Sequence, residues 1–202
     1  MGLLDSVFSN TQTTQEIYIR AMESYEKGDF STAITLFEKA AKKGHVPSQV
    51  LCGLLYAEGK GKMKNMTKAL MWWEQAAEQG DVEGQYNCAI VYDKGEGVSI
   101  DKTKALKWYE RAAEQGDVEA QLQTGLRYQK GIGAAVDYDK ALTWLEKAAK
   151  QRHSGGQYFY GMLLLNFDID KAFEWLEKAA AQGCEEAQNV CKKRMLLEDV
   201  SQ

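Results

Sequence analysis

Apolar residues along this chain fall three and four apart in stretches of about a dozen residues, most of them closed by glycine. That spacing predicts helices with one buried stripe each. The stretches also return at a near-constant interval. The string Lys-Ala-Leu-x-Trp-x-Glu-x-Ala-Ala recurs with variation. Its anchoring alanines, Ala33, Ala69, Ala105, Ala141 and Ala172, are separated by 36, 36, 36 and 31 residues. A period of that size marks a solenoid of helix pairs, in which no unit buries its apolar face alone.

The unit from Asp81 to Gly116 shows the plan. Asp81 is expected to accept hydrogen bonds from the first-turn amides of a leading helix, and Glu83 suits its positive end. Gln85, Cys88, Ala89 and Tyr92 form the inward stripe, and Gly95 is the left-handed stop. A loop over 95–101 follows. The trailing helix runs from about Lys102 to Gln115, with Ala105, Trp108, Tyr109 and Ala112 inward. Gly116 ends it and Asp117 opens the next unit. Aligned repeats give columns: Tyr56, Tyr92, Tyr128; the small residues Gly53, Ala89, Gly125, Gly161; Trp72, Trp108, Trp144, Trp175; and Gln49, Gln85, Gln121, Gln157, Gln188. Removal of one buried Trp side chain is expected to cost about 3–5 kcal/mol.

The fold class that follows is all-α: a right-handed α-α superhelical solenoid of about five helix pairs plus a C-terminal capping helix. Residues 1–12 are expected to be a flexible tail. Residues 13–198 are expected to form a single solenoid, with units at about 13–45, 46–80, 81–116, 117–152 and 153–183 and the capping helix at 184–198. Lys192, Lys193 and Arg194 suit a polar closing face.

Composition narrows the function. The chain is 45% hydrophobic with one proline in 202 residues, which fits a folded helical protein. A net charge of −4 offers no basic excess for nucleic acid. No apolar run reaches the 18 residues of a membrane span. The start, Met1-Gly2-Leu3-Leu4-Asp5-Ser6, lacks the basic region of a secretory signal but matches the Met-Gly-x-x-x-Ser pattern of N-myristoylation. Cys52, Cys88 and Cys191 share one inner column, and Cys184 lies seven before Cys191, a spacing that can share a helix face. Reduced core thiols of this kind suit the cytoplasm.

The pattern Ala-x-Gln-x-x-x-Gly-x-x-Tyr-x-x-Gly-x-Gly-Val…Asp…Lys-Ala-x-x-Trp-x-x-x-Ala-Ala-x-x-Gly resembles the Sel-one-like repeat (SLR), a relative of the tetratricopeptide repeat. Three units, from about Pro47 to Arg152, carry it. The first unit, with Tyr25-Glu26-Lys27-Gly28-Asp29-Phe30, is closer to a tetratricopeptide unit. The fifth replaces the glycine loop with Asn166-Phe167-Asp168-Ile169-Asp170, which accounts for five missing residues, and Arg152 stands where glycine is expected. The resemblance implies a bacterial protein-interaction scaffold. Secreted relatives bridge the helices of each unit through a second cysteine. Here those positions are Ala76/Ala77, Ala112/Ala113, Ala148/Ala149 and Ala179/Ala180.

Candidate chemistry is thin, and no catalytic, cofactor-binding or metal-binding residue is assigned. His45 and His153 lie three periods apart, in the column of Asp81 and Asp117, and read as helix starts; a shared metal needs ligands within a few ångströms. Some relatives have been linked to β-lactam binding or hydrolysis, so Ser24-Tyr25-Glu26-Lys27 is compared with Ser-x-x-Lys. No Ser-Asp-Asn or Lys-Thr-Gly follows it. The Glu96 and Asp101 carboxylates belong to a loop with no dry site for acid–base work. Gly131-Ile132-Gly133 is a repeat loop and not a phosphate cradle.

A partner face is expected on the leading helices, which line the concave side of such stacks. Beyond the core columns, i, i+4 and i+7 spacing gives the column Leu51, Asn87, Gln123, Phe159 and the column Leu55, Val91, Arg127, Leu163, continued by Glu58, Lys94 and Lys130. These vary between units while the core columns hold. Apolar residues cluster at both ends, Leu51 with Leu55 and Phe159 with Leu163, as two anchor points for a peptide. The first reading is a non-enzymatic cytoplasmic adaptor for another protein or peptide, with no nucleic acid and no membrane span. Two others stand beside it: an inhibitor or immunity protein that neutralises a secreted toxin or enzyme, and, remotely, a β-lactam-binding hydrolase.

Overall fold

Short polar side chains set where helices begin. In the computed structural model, which describes residues 13–200, Asp29, Asn65, Asp81, Asp101, Asp117, Asp137 and Asp168 each accept a hydrogen bond from the amide three residues on. Thr13 and Glu16 form a reciprocal capping box. Each such cap is worth about 1 kcal/mol. The loose tail expected over 1–12 and the Met-Gly-x-x-x-Ser pattern lie outside the described residues.

Among the described residues there are eleven helices and no strand: α1 (Thr14–Glu26), α2 (Phe30–Ala41), α3 (Val46–Glu58), α4 (Met66–Glu78), α5 (Val82–Lys94), α6 (Lys102–Glu114), α7 (Val118–Lys130), α8 (Tyr138–Lys150), α9 (Ser154–Leu164), α10 (Ile169–Ala181) and α11 (Glu185–Val200). The fold class is the all-α helix-pair solenoid that the periodicity implies. Between Ile100 and Asp101 the chain divides into two compact units, the first holding α1–α5 and the second α6–α11.

Leading helices α3, α5 and α7 stop on Gly59, Gly95 and Gly131 in the left-handed conformation. Trailing helices stop on Gln79, Gln115, Gln151 and Gln182. A positive-φ residue comes next in each case: Gly80, Gly116, Arg152 and Gly183. Arg152, at φ 64°, is the one non-glycine with positive φ among the described residues. A side chain in that region costs about 1–2 kcal/mol.

The small column is where helices of a pair touch. A Cβ on Gly125 would lie 2.7 Å from Leu145 Cγ, and one on Gly161 would lie 2.9 Å from Leu176 Cγ; Gly53 faces Trp73 in the same way. The knobs are thus Trp73, Leu145 and Leu176, one residue after the tryptophan column. Trp72 and Trp108 are buried, but Trp144 and Trp175 are half-exposed, with Lys147 and Lys178 over their rings. The expectation of a uniformly buried tryptophan column holds for two of the four.

Glutamine joins one repeat to the next. Nε2 of Gln49, Gln85, Gln121, Gln157 and Gln188 donates to the carbonyls of Ala41, Ala77, Ala113, Ala149 and Ala180. Each carbonyl sits at or near the end of the preceding trailing helix, where intrahelical donors run out. The acceptor oxygens of Gln49, Gln121 and Gln157 take hydrogen bonds at 2.8, 2.9 and 2.6 Å from the helix-terminal Gln79, Gln151 and Gln182. A further tie runs from the Tyr56, Tyr92 and Tyr128 hydroxyls to Glu38, Glu74 and Glu110.

The fifth repeat departs from the expected account of its five missing residues. Helix α9 has 11 residues against 13 in α7, and its loop runs over 165–168 in place of 131–137. Two residues come out of the helix and three out of the loop. The tyrosine column is lost with them, and Tyr160, one turn earlier, reaches Glu146 at 3.3 Å.

Candidate partner-binding face

The two columns proposed for the partner face part ways. Leu55, Val91, Arg127 and Leu163 are 0, 2, 6 and 4% exposed. They are interior residues, so they cannot be touched by a partner. The reason is the packing of the leading helices. Helix α3 lies against both α2 and α4, and α7 against both α6 and α8, which buries two sides of the helix instead of one stripe. Arg127 follows that rule despite its charge, its guanidinium stacking 4.7 Å from the Tyr109 ring centroid.

Leu51, Asn87, Gln123 and Phe159 are half-buried and reach solvent. In the first unit this leaves Leu51 on α3 and Asn87 on α5; in the second, Gln123 on α7 and Phe159 on α9. Phe159 is the best-formed of these positions. It lines an open cavity of about 560 Å3 with Ser154, Tyr158, Cys184, Glu185 and Glu186. Tyr158 meets Phe159 edge-on, with centroids 5.0 Å apart. Burial first, then the Glu186 carboxylate, push the Tyr158 phenol above its ordinary range. It therefore stays a hydrogen-bond donor. The cavity combines an aromatic surface with an acidic rim, a setting for an apolar side chain flanked by a positive charge.

Tyr158, Glu185 and Glu186 were missed by column arithmetic. The available signal was Cys184, which stands at the repeat position of Asp81, Asp117 and His153. That position marks a helix start and brings the next two residues beside the preceding leading helix. Cys184 immediately precedes α11 and packs against the cluster that contains Cys191; its Sγ lies 3.4 Å from Glu186 Oε2.

Other candidates resolve into structure. Ser24 Oγ donates to the Arg20 carbonyl at 3.0 Å, and Lys27 is the exposed C-cap of α1, so serine and lysine form no nucleophile–base pair. His153 caps α9, its Nδ1 accepting from Gly156 N–H at 3.0 Å and its Nε2 lying 2.9 Å from Glu119. His45 precedes α3 and bonds Ser48 Oγ at 2.8 Å. Burial lowers the tendency of His45 to protonate. Burial, chiefly, pushes the Cys52 thiol up to about 12, which keeps it an inert core group. Among the described residues no three His, Cys, Asp or Glu side chains are grouped to hold a metal ion, and no helix is long and apolar enough to cross a membrane.

The Sel1 repeat pattern matches residues 23–45, 46–81, 82–117, 118–153 and 155–184. The chain belongs to the Sel1 repeat family. Among solved structures it is similar to a protective antigen of uropathogenic Escherichia coli displaying an SLR fold, at 29% identity and TM-score 0.84 over 87% of this chain. It spans 40% of that protein's length. A Sel1 repeat protein from Oxalobacter formigenes is 31% identical with TM-score 0.74, the match covering 85% of this chain and 70% of that one. No curated protein matches the chain. The first Sel1 repeat match begins inside α1, which agrees with the three-residue turn over 27–29 that replaces a glycine loop there.

Proposed function

We propose that this Sel1 repeat chain is a non-enzymatic, cytoplasmic scaffold that binds a segment of another protein through the half-buried column of its leading helices. Leu51 and Asn87 serve in the first unit, Gln123 and Phe159 in the second. The observation that carries the reading is a contrast within one chain. The glutamine, tyrosine and small-residue columns scarcely change, whereas this column runs Leu, Asn, Gln, Phe and reaches solvent at every one of its positions. The buried column Leu55, Val91, Arg127 and Leu163 also varies, but its residues answer to their interior neighbours, which a solvent-reaching position does not. The Phe159 cavity is the anchor, taking an apolar side chain beside a lysine or arginine that meets Glu185 and Glu186. Reduced, buried Cys52 and Cys88 suit the cytoplasm.

The test is affinity capture from the native host followed by variants. Leu55 is wholly buried, so a substitution there would report unfolding. Leu51→Asp and Phe159→Asp are the appropriate pair. The expected outcome is at least about tenfold weaker recovery of the captured protein with each, at unchanged helicity by circular dichroism. Equal recovery with both would reject this face.

A further inference from the structure

The junction of α8, α9 and α10 holds a second open cavity of about 560 Å3 with a cationic lining. Lys150, Arg152 and Lys178 line it beside Trp175, Gln157 and Gln182. Lys150 is already paired with Glu146 at 2.9 Å. The Arg152 guanidinium and the Lys178 ammonium form no hydrogen bond or ion pair among the described residues. Lys178 instead sits 4.1 Å from the Trp175 ring centroid, and Tyr160 holds that ring edge-on at 5.7 Å.

The first unit has an overlapping notch at the corresponding junction, sharing four lining positions and carrying other charges. There Gln49, Glu74, Gln75, Glu78 and Gln79 line about 590 Å3. Gln75 stands at the repeat position of Lys178, Glu78 at that of Ala181, and Gly44 at that of Arg152. Both notches close on the same glutamine pairing. Lys178 repeats a cation that Arg111 and Lys147 also place over their tryptophans, so it is Arg152, with Lys150 and Lys178 beside it, that makes this notch cationic. Arg152 adds backbone strain where the other repeats use glycine, and strain kept at the mouth of a cavity points to use.

We propose that this notch is a binding site for an acidic segment of a partner protein. Two carboxylate side chains meet Arg152 and Lys178, and an apolar side chain lies on Trp175. A peptide fits better than a phosphate ion. Gln182 Oε1 accepts no hydrogen bond among the described residues and can take a backbone N–H, and the indole face offers a phosphate nothing. The site shares only Gln182 with the Phe159 cavity and stands independently of the function proposed above.

The experiment is fluorescence anisotropy on the full chain, with a blocked, fluorescein-labelled octapeptide of alternating glutamate and leucine. A glutamine-for-glutamate peptide is the control, and inorganic phosphate is the competitor. The full chain is expected to bind the acidic peptide, less tightly as salt rises. Arg152→Gly and Lys178→Gln install residues that other repeats already carry, so both variants fold. Each is expected to weaken binding at least about tenfold, with the melting temperature of Arg152→Gly unchanged or raised. Phe159→Asp is expected to leave peptide binding intact, which separates this site from the partner face. Absent binding, equal binding of the glutamine peptide, undiminished affinity in the Arg152→Gly, Lys178→Gln double variant, or displacement by equimolar phosphate would each overturn the proposal.

Discussion

Gly125 sits mid-helix, where alanine would ordinarily gain about 1 kcal/mol. Here the added Cβ would meet the wholly buried Leu145 at 2.7 Å. Overpacking of this kind costs about 1–3 kcal/mol, so Gly125→Ala is expected to lower stability by urea denaturation in spite of its better helix propensity. The same confinement governs the thiols. At pH 8 a disulfide reagent is expected to modify the half-exposed Cys184 first and Cys52 only on unfolding. Cys52 also links stability to pH. Its folded thiol is raised to about 12 against an ordinary value of 9.0, so the unfolded chain loses that proton first. The contribution is intact below pH 9 and drains away toward pH 12, by at most ~1.4 kcal/mol per pH unit. The urea midpoint is expected to fall between pH 9 and 11, and to fall less steeply in Cys52→Ala. Tyr56 and Tyr160, raised mainly by burial, act in the same direction.

At the scale of the element, the helix starts and stops were legible because short polar side chains and left-handed glycines act locally. Asp81, Gly95 and Asp117 do in the structure what their neighbours in sequence imply. The partner face was legible only in part. A helical wheel assumes one covered side, but a leading helix is covered on two. Leu55, Val91, Arg127 and Leu163 therefore went inside while Leu51, Asn87, Gln123 and Phe159 did not. The glutamine columns were visible, but their partners are carbonyls and carry no signature in side-chain identity. Their role can be measured. Gln121→Leu removes the donor to the buried Ala113 carbonyl and one of the two acceptors of Gln151 Nε2, which keeps its bond to the Gly116 carbonyl. A loss of about 1–3 kcal/mol is expected, against little change for Gln123→Leu on the solvent-reaching side.

At the scale of the described stack, what matters is what α11 covers. Leu176 and Ala179 are wholly buried with Ala187 and Cys191 of α11 against them. Arg194 covers Phe173 at 4.2 Å, whereas Met195 and Leu196 remain 60 and 65% exposed. Deleting 184–202 would bare that cluster. The shortened chain is expected to bind a hydrophobic dye and melt at lower temperature than the full chain, as a stack does when a helix pair loses the neighbour that covers it. The junctions at Gln49, Gln121 and Gln157 raise no such difficulty, since each carries both halves of its own amide pairing. A further copy of the 36-residue period, spliced between two existing ones, would meet donors and acceptors already waiting on either side. In-frame duplication or loss in the gene can thus lengthen or shorten this protein one recognition position at a time, without inventing a single new contact.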